Sequence, residues 1–209
     1  MRILGIDPGS RNVGFGVVEC AAPPRHGLHV AHGVLRLTTS RDLPARIAEL
    51  LPRLQAVLRE HRPQVAVVEE VFVSANARSA LLLGQARGAV LALLALEGIP
   101  VTGVRPAVLK LALTGSGRAG KHQVACMVAA LLDLPARPAA DAADALALAL
   151  YHARGLVGGG LGVHGVVTAP RRLSARGRRR ALEELARSHG AALPKEYRRP
   201  EGLIGLQDE

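Results

Sequence analysis

The sequence predicts an α/β fold, a mixed sheet flanked by helices. Three observations carry that reading. Residues 2–7, 13–19 and 29–37 are short strand-like segments with tight connections, the pattern of an antiparallel meander. Residues 64–70, QVAVVEE, form the nearly unbroken apolar run of a parallel strand covered on both faces. Helix-length segments then alternate with strands, so the core reads βββαβαβα(α)α.

Taken in order, the first strand, RILGID, passes into a turn built from Pro8, Gly9, Ser10, Arg11 and Asn12 before the second strand begins. Asp42 is placed to cap a helix over 43–61. That helix tolerates Pro44 in its first turn and carries a less comfortable Pro52. Residues 77–97 form a long helix that is apolar nearly all round in its second half, which implies cover on two sides. Gly98 ends it, a fifth strand follows at 101–105, and another helix begins at Pro106. The loop Gly115-Ser116-Gly117-Arg118-Ala119-Gly120 leads into a helix at 121–132, and a last helix spans 140–154 up to Gly155. Gly158-Gly159-Gly160 marks a boundary between a domain at 1–157 and a Gly-rich linker with a basic tail at 158–209, expected to be flexible.

The chain has 209 residues, enough for one full core with roughly 40 left over. It lacks Trp and has only two Tyr and two Phe, so Ala, Leu and Val must fill that core. Its longest uninterrupted apolar run is about half of what a membrane span needs. No signal-peptide layout opens it, and two cysteines are too few for a disulfide framework, so a cytoplasmic protein without membrane partners is expected. The formal net charge of +10 favours a polyanionic partner. Between residues 171 and 180 the cations are dense enough either for a solvated tail or for an arm that tracks phosphates.

One residue in the first strand is out of place: Asp7 ends an apolar run. An Asp there can simply hold a turn, but it has company. Glu69 and Glu70 end the fourth strand, and parallel pairing would set them beside Asp7 at the carboxyl edge, where open α/β sheets hold ligands. Alternation allows only one of the two glutamates on Asp7's face. Asp141 and Asp144, three residues apart, share a face of the last helix. Asp141 alone would read as a helix-start residue, whereas Asp144 sits one turn in, among alanines. Converging carboxylates repel unless a cation joins them, and all-oxygen ligation suits Mg²⁺ or Mn²⁺ rather than zinc.

The segments IDPGSRNVGFGV, VVEEVFVSANARSALLLGQARG, GSGRAGKHQV and ADAADALALAL together resemble the RuvC family of Holliday junction resolvases, in unbroken order over residues 1–154. The resemblance implies a ribonuclease-H-like five-stranded mixed sheet of order 3-2-1-4-5 with strand 2 antiparallel. It also implies an acidic tetrad of Asp7, Glu69, Asp141 and Asp144. The choice of Glu69 over Glu70 rests on it. Such a site would hold two Mg²⁺ or Mn²⁺ ions, bridged by Asp7, and hydrolyse phosphodiesters to leave 5′-phosphate and 3′-hydroxyl ends. Beyond about residue 160 the resemblance stops.

Phe72, just past the fourth strand, reads as core or as an aromatic that stacks on an unpaired base. The resemblance favours the second role, a wedge at the junction centre. Asn76, Arg78, Gln85 and Arg87 are candidates for phosphate contacts. Lys110 and Lys121 match basic positions at the family's active-site rim, and Arg118 extends that patch. A four-way junction is two-fold symmetric, so paired cuts call for a homodimer, with helix 77–97 supplying the partner-facing surface. The family also works with a branch-migration helicase. A nuclease of the same fold acting on RNA or on other branched DNA would carry the same acids, and only Phe72 and the implied dimer point to the junction. Two other rival readings are weaker. A sugar-kinase or actin-like ATPase opening would need a second domain and a second phosphate loop, and neither is present. A non-catalytic nucleic-acid-binding relative would have lost a carboxylate.

Overall fold

The computed structural model describes residues 1–20, 27–70, 77–155 and 166–167. Its elements are β1 (Arg2–Asp7), β2 (Asn12–Cys20), β3 (Gly27–Arg36), α1 (Leu43–His61), β4 (Val65–Glu69), α2 (Ala77–Leu96), β5 (Val101–Val104), α3 (Pro106–Thr114), α4 (Lys121–Leu131), α5 (Ala140–Ala153) and β6 (Val166–Val167). Sheet order is β3-β2-β1-β4-β5-β6. β2 is antiparallel to β1 and β3, while β4 is parallel to β1 and β5. The expected order 3-2-1-4-5 is therefore present. The two-residue β6 extends it, pairing antiparallel with β5 through Val101↔Val167 and Thr102↔Val166. That pairing brings chain from beyond residue 157 into the sheet. By contacts the chain divides into Met1–Ala169, which contains every described residue, and Pro170–Glu209.

Most element ends fall within a residue of the sequence expectation; β3 starts two residues earlier, at Gly27. Asp42 caps α1 as expected, its Oδ1 accepting from the Ala45 backbone N–H at 3.0 Å. Strand alternation divides the core in two. Ile3, Val18, Val65, Val67 and Val104 pack with residues of α3, α4 and α5 on one face. Leu4, Ile6, Val17, Ala66 and Val68 pack with α1 and α2 on the other.

α5 is the most deeply buried helix, with every residue from Ala145 to Tyr151 buried. Its close seat on β1 and β2 comes from three glycines. A Cβ at Gly5 would overlap the Ala145 carbonyl oxygen, and one at Gly14 the Asp141 carbonyl oxygen. At Gly16 it would stand 2.7 Å from the Leu146 backbone nitrogen. Because α5 rests on bare backbone, its first turns lie over the end of β1. Here the sequence pattern becomes site geometry.

α2 meets the expectation of two covered faces only in half. It buries Ala86, Val90, Leu93 and Leu94, while Leu81 and Leu96 are 63% and 80% exposed. Among the described residues α2 is the one helix long and apolar enough to cross a membrane. The longest uninterrupted apolar run in the sequence lies in the second half of α2 and is shorter than the helix because Arg78, Gln85 and Arg87 break the first half.

Candidate active site and its relatives

Parallel pairing sets Ile6 opposite Val68, so Asp7 and Glu69 follow side by side at the carboxyl ends of their strands. Both continue the face that α5 covers. Glu70 falls on the opposite face, against Gly103, where an added Cβ would stand 2.8 Å from its Oε1. Asp7, Glu69 and Asp144 line one cavity of about 160 Å³ together with Lys110 and Lys121, and Pro106, Leu109 and Val124 supply its apolar wall. Asp141, in the first turn of α5, is outside that lining, though its charge reaches Asp7.

The cavity is short of positive charge. Burial, with the neighbouring Asp7 charge and a hydrogen bond to it, pushes Glu69 up to about 8. Burial and the charges of Asp144 and Asp141 push Asp7 up to about 6, against the pull of its hydrogen bond with Glu69. The Glu69 carboxyl therefore donates to the Asp7 carboxylate. Asp144 is also raised by burial, which outweighs Lys121, whose Nζ lies 3.3 Å from Asp144 Oδ2. Asp144 in turn raises Lys121. Lys110 and Lys121 are thus the positive charges that line the cavity beside these three acids.

These donors fit a hard divalent ion: all are carboxylate oxygens, and each buried acid resists ionising without added positive charge. Among the described residues no three His, Cys, Asp or Glu groups stand at metal-ligand spacing.

The residues expected to meet DNA are dispersed. Lys110 is half-buried in the cavity wall, and Lys121 and Arg118 are exposed near its mouth or in the preceding loop. Arg78 and Gln85 are exposed on α2. Arg87 is half-buried, and its Nε donates to the Glu69 carbonyl oxygen at 2.9 Å, which fastens α2 to the end of β4. Phe72 and Asn76 lie outside the described residues, as does the basic stretch at 171–180.

The family model for Crossover junction endodeoxyribonuclease RuvC matches residues 3–152. The chain belongs to the RuvC family. A RuvC from Alkalilimnicola ehrlichii is 55% identical over 152 residues, covering 72% of this chain and 90% of that protein. One from Halorhodospira halophila is 51% identical over 73% of this chain and 89% of its own. Among solved structures, Thermus thermophilus RuvC in complex with Holliday junction substrate superposes with TM-score 0.69 at 35% identity, over 75% of this chain and 94% of that one. The yeast mitochondrial Holliday junction resolvase, at 18% identity and TM-score 0.52, shares the fold. RuvC identity makes the chain a structure-selective endonuclease of ribonuclease-H-like fold, and it implies catalysis dependent on a divalent metal.

The apolar wall of Pro106, Leu109 and Val124 and the anchoring bond of Arg87 went unread in the sequence. The glycine track did leave a signal: Gly5 pairs with Gly16, and Gly14 pairs with Asp7, on one face of adjacent strands.

Proposed function

We propose that Asp7, Glu69, Asp141 and Asp144 are the catalytic acids of an enzyme that resolves four-way DNA junctions by paired hydrolytic cuts. The observation that carries this reading is the single cavity that Asp7, Glu69 and Asp144 line with Lys110 and Lys121. The four carboxylates would hold two Mg²⁺ or Mn²⁺ ions, which when bound supply an acidified water and stabilise the departing 3′ oxygen.

The chain's own residues do the rest. Asp7 and Glu69 end adjacent parallel strands, so their spacing is set by the sheet and not by a loop. Lys121 is 69% exposed and is free to exchange Asp144 for a phosphate oxygen as the strand arrives. Lys110 offers the phosphodiester a second positive charge from the wall. Leu109 and Val124 keep bulk water from that side, which strengthens every charge interaction within. The products are 5′-phosphate and 3′-hydroxyl ends.

Similarity to the junction-bound Thermus thermophilus structure supports a four-way junction as substrate. The exposed apolar side of α2, with Leu81 and Leu96, supports a homodimer whose two copies cut symmetrically. We assign Arg78, Gln85 and Arg118 to DNA contact, and Phe72 and Asn76 to the roles that the family resemblance implies. Arg87 acts by holding Glu69's strand end. A branch-migration helicase partner and a cytoplasmic location follow the family. We assign 1–157 to the nuclease, with β6 added to its sheet edge, and the basic stretch from Pro170 on to an accessory tail. The test is single-turnover cleavage of a synthetic mobile four-way junction beside linear duplex, with Mg²⁺, Mn²⁺ or chelator. Paired nicks on the junction alone, lost with chelator, are expected. Equal cutting of the duplex would overturn the junction reading.

A further inference from the structure

The catalytic cavity does not end at Lys121. A wider groove of about 410 Å³ shares that lysine and is lined further by His122, Ala125, Arg137, Pro138, Ala139 and Ala140. Its ionisable lining is Lys121, His122 and Arg137, with no carboxylate among them. Arg137 is exposed and forms no ion pair among the described residues. Nδ1 of His122 is 3.6 Å from Cys126 Sγ, which leaves Nε2 for a ligand. α4 and α5, which border the groove, both start without a side-chain cap, so their first-turn N–H groups add to the same positive balance. No Phe, Tyr or Trp lines it, and its one ring is that of His122. The groove is built for anionic oxygens and not for stacking bases.

We propose that this groove seats the phosphate next to the scissile one on the cleaved strand, with Arg137 and His122 as positioning residues. The inference rests on the nuclease reading above, in which the scissile phosphate meets Lys121. A strand entering at Lys121 has to leave across a neighbouring surface, and the concave cationic surface that shares this lysine suits it. Arg137 presents the planar donor fork that matches phosphate. Held there, the strand is registered against Asp7 and Glu69.

The experiment compares wild type with Arg137→Gln and Arg137→Lys on a synthetic four-way junction across a salt series. Arg137→Gln should bind about tenfold more weakly at low salt. Its plot of log affinity against log salt should be shallower by about 0.9 for each subunit on the junction, the loss of one phosphate contact apiece. Arg137→Lys should keep most of the slope, and melting temperatures should match. Neutral methylphosphonates are then walked along the cleaved strand. At the position beside the cut, the wild type should lose affinity while Arg137→Gln loses no more. His122→Gln should show the same pattern with a smaller loss. Unchanged affinity and slope in Arg137→Gln would overturn the proposal, as would losses that add at every methylphosphonate. A wild type that binds no junction would instead refute the nuclease reading on which it stands.

Discussion

Raising the pH of the metal-free protein from 6 to 8 is expected to destabilise it by about 2 kcal/mol, through one carboxyl group. Glu69 is raised from 4.5 to about 8, so between those values the folded chain holds a proton that the unfolded chain has released. A folded value above the unfolded one means stability that is complete at low pH and is lost as pH climbs through the folded value. Asp7, raised from 3.8 to about 6, has the same sign but spends most of its effect below pH 6. His152 and His29, both lowered chiefly by burial, act in the opposite sense around their ordinary value of 6.5. The informative quantity is therefore the difference between wild type and Glu69→Gln, which keeps an N–H donor for Asp7 but cannot titrate. Urea unfolding in chelator at pH 5 to 9 should show the wild type falling relative to the variant, by at most about 1.4 kcal/mol per pH unit for one proton. Divalent metal must displace that proton, so Mn²⁺ affinity of the wild type should rise about tenfold per unit over the same window, and that of the variant should not. Parallel stability curves for the two proteins would refute the buried shared proton. A pH-dependent stability with pH-independent Mn²⁺ affinity would put the metal elsewhere.

Asp7→Asn should abolish cleavage while junction affinity in a gel-shift titration stays near wild type, since phosphate contacts elsewhere supply most of the binding. Glu69→Gln should be severe and Glu70→Gln mild in single-turnover cleavage, because Glu70 faces Gly103 across the sheet; the reverse order would refute the site's geometry. Gly5→Ala should cost about 2–3 kcal/mol in urea unfolding by driving a methyl into the Ala145 carbonyl, and a wild-type midpoint would contradict the close seat of α5. Phe72→Ala should leave the melting temperature nearly unchanged but slow junction cleavage about tenfold, with recovery on a junction carrying an unpaired base at the cut. A large drop in melting temperature without recovery would return Phe72 to packing.

The position of Asp7 was legible because a carboxylate ending an apolar strand has few structural uses. Asp144 was legible because it interrupts an alanine-rich face. Alternation narrowed Glu69 and Glu70 to one without choosing, since the face depends on which side α5 covers. The strand order likewise came from resemblance, because periodicity describes a strand but not its neighbour. β6 escaped notice: two valines in a glycine-rich stretch have no period to detect. The bond from Arg87 to the Glu69 carbonyl was not legible, for a general reason. A guanidinium bound to a backbone carbonyl leaves no partner side chain in the sequence, so it looks like any surface charge. The open side of α2 was the inverse case, legible as excess apolar surface in a helix that a single chain covers only in part.

The glycine track under α5 has a mechanical consequence. A helix that rests only on side chains can slide or tilt as rotamers change, but at Gly5, Gly14 and Gly16 α5 meets strand backbone directly, and backbone does not yield. The backbone that carries Asp144 is therefore set beside β1 and β2 when the domain folds, and only side-chain rotation is left to bring the acids around an ion. Compliance is left to long side chains at the mouth, above all Lys121. The enzyme would then adapt to its substrate by swinging ammonium and guanidinium groups around an inert acidic centre.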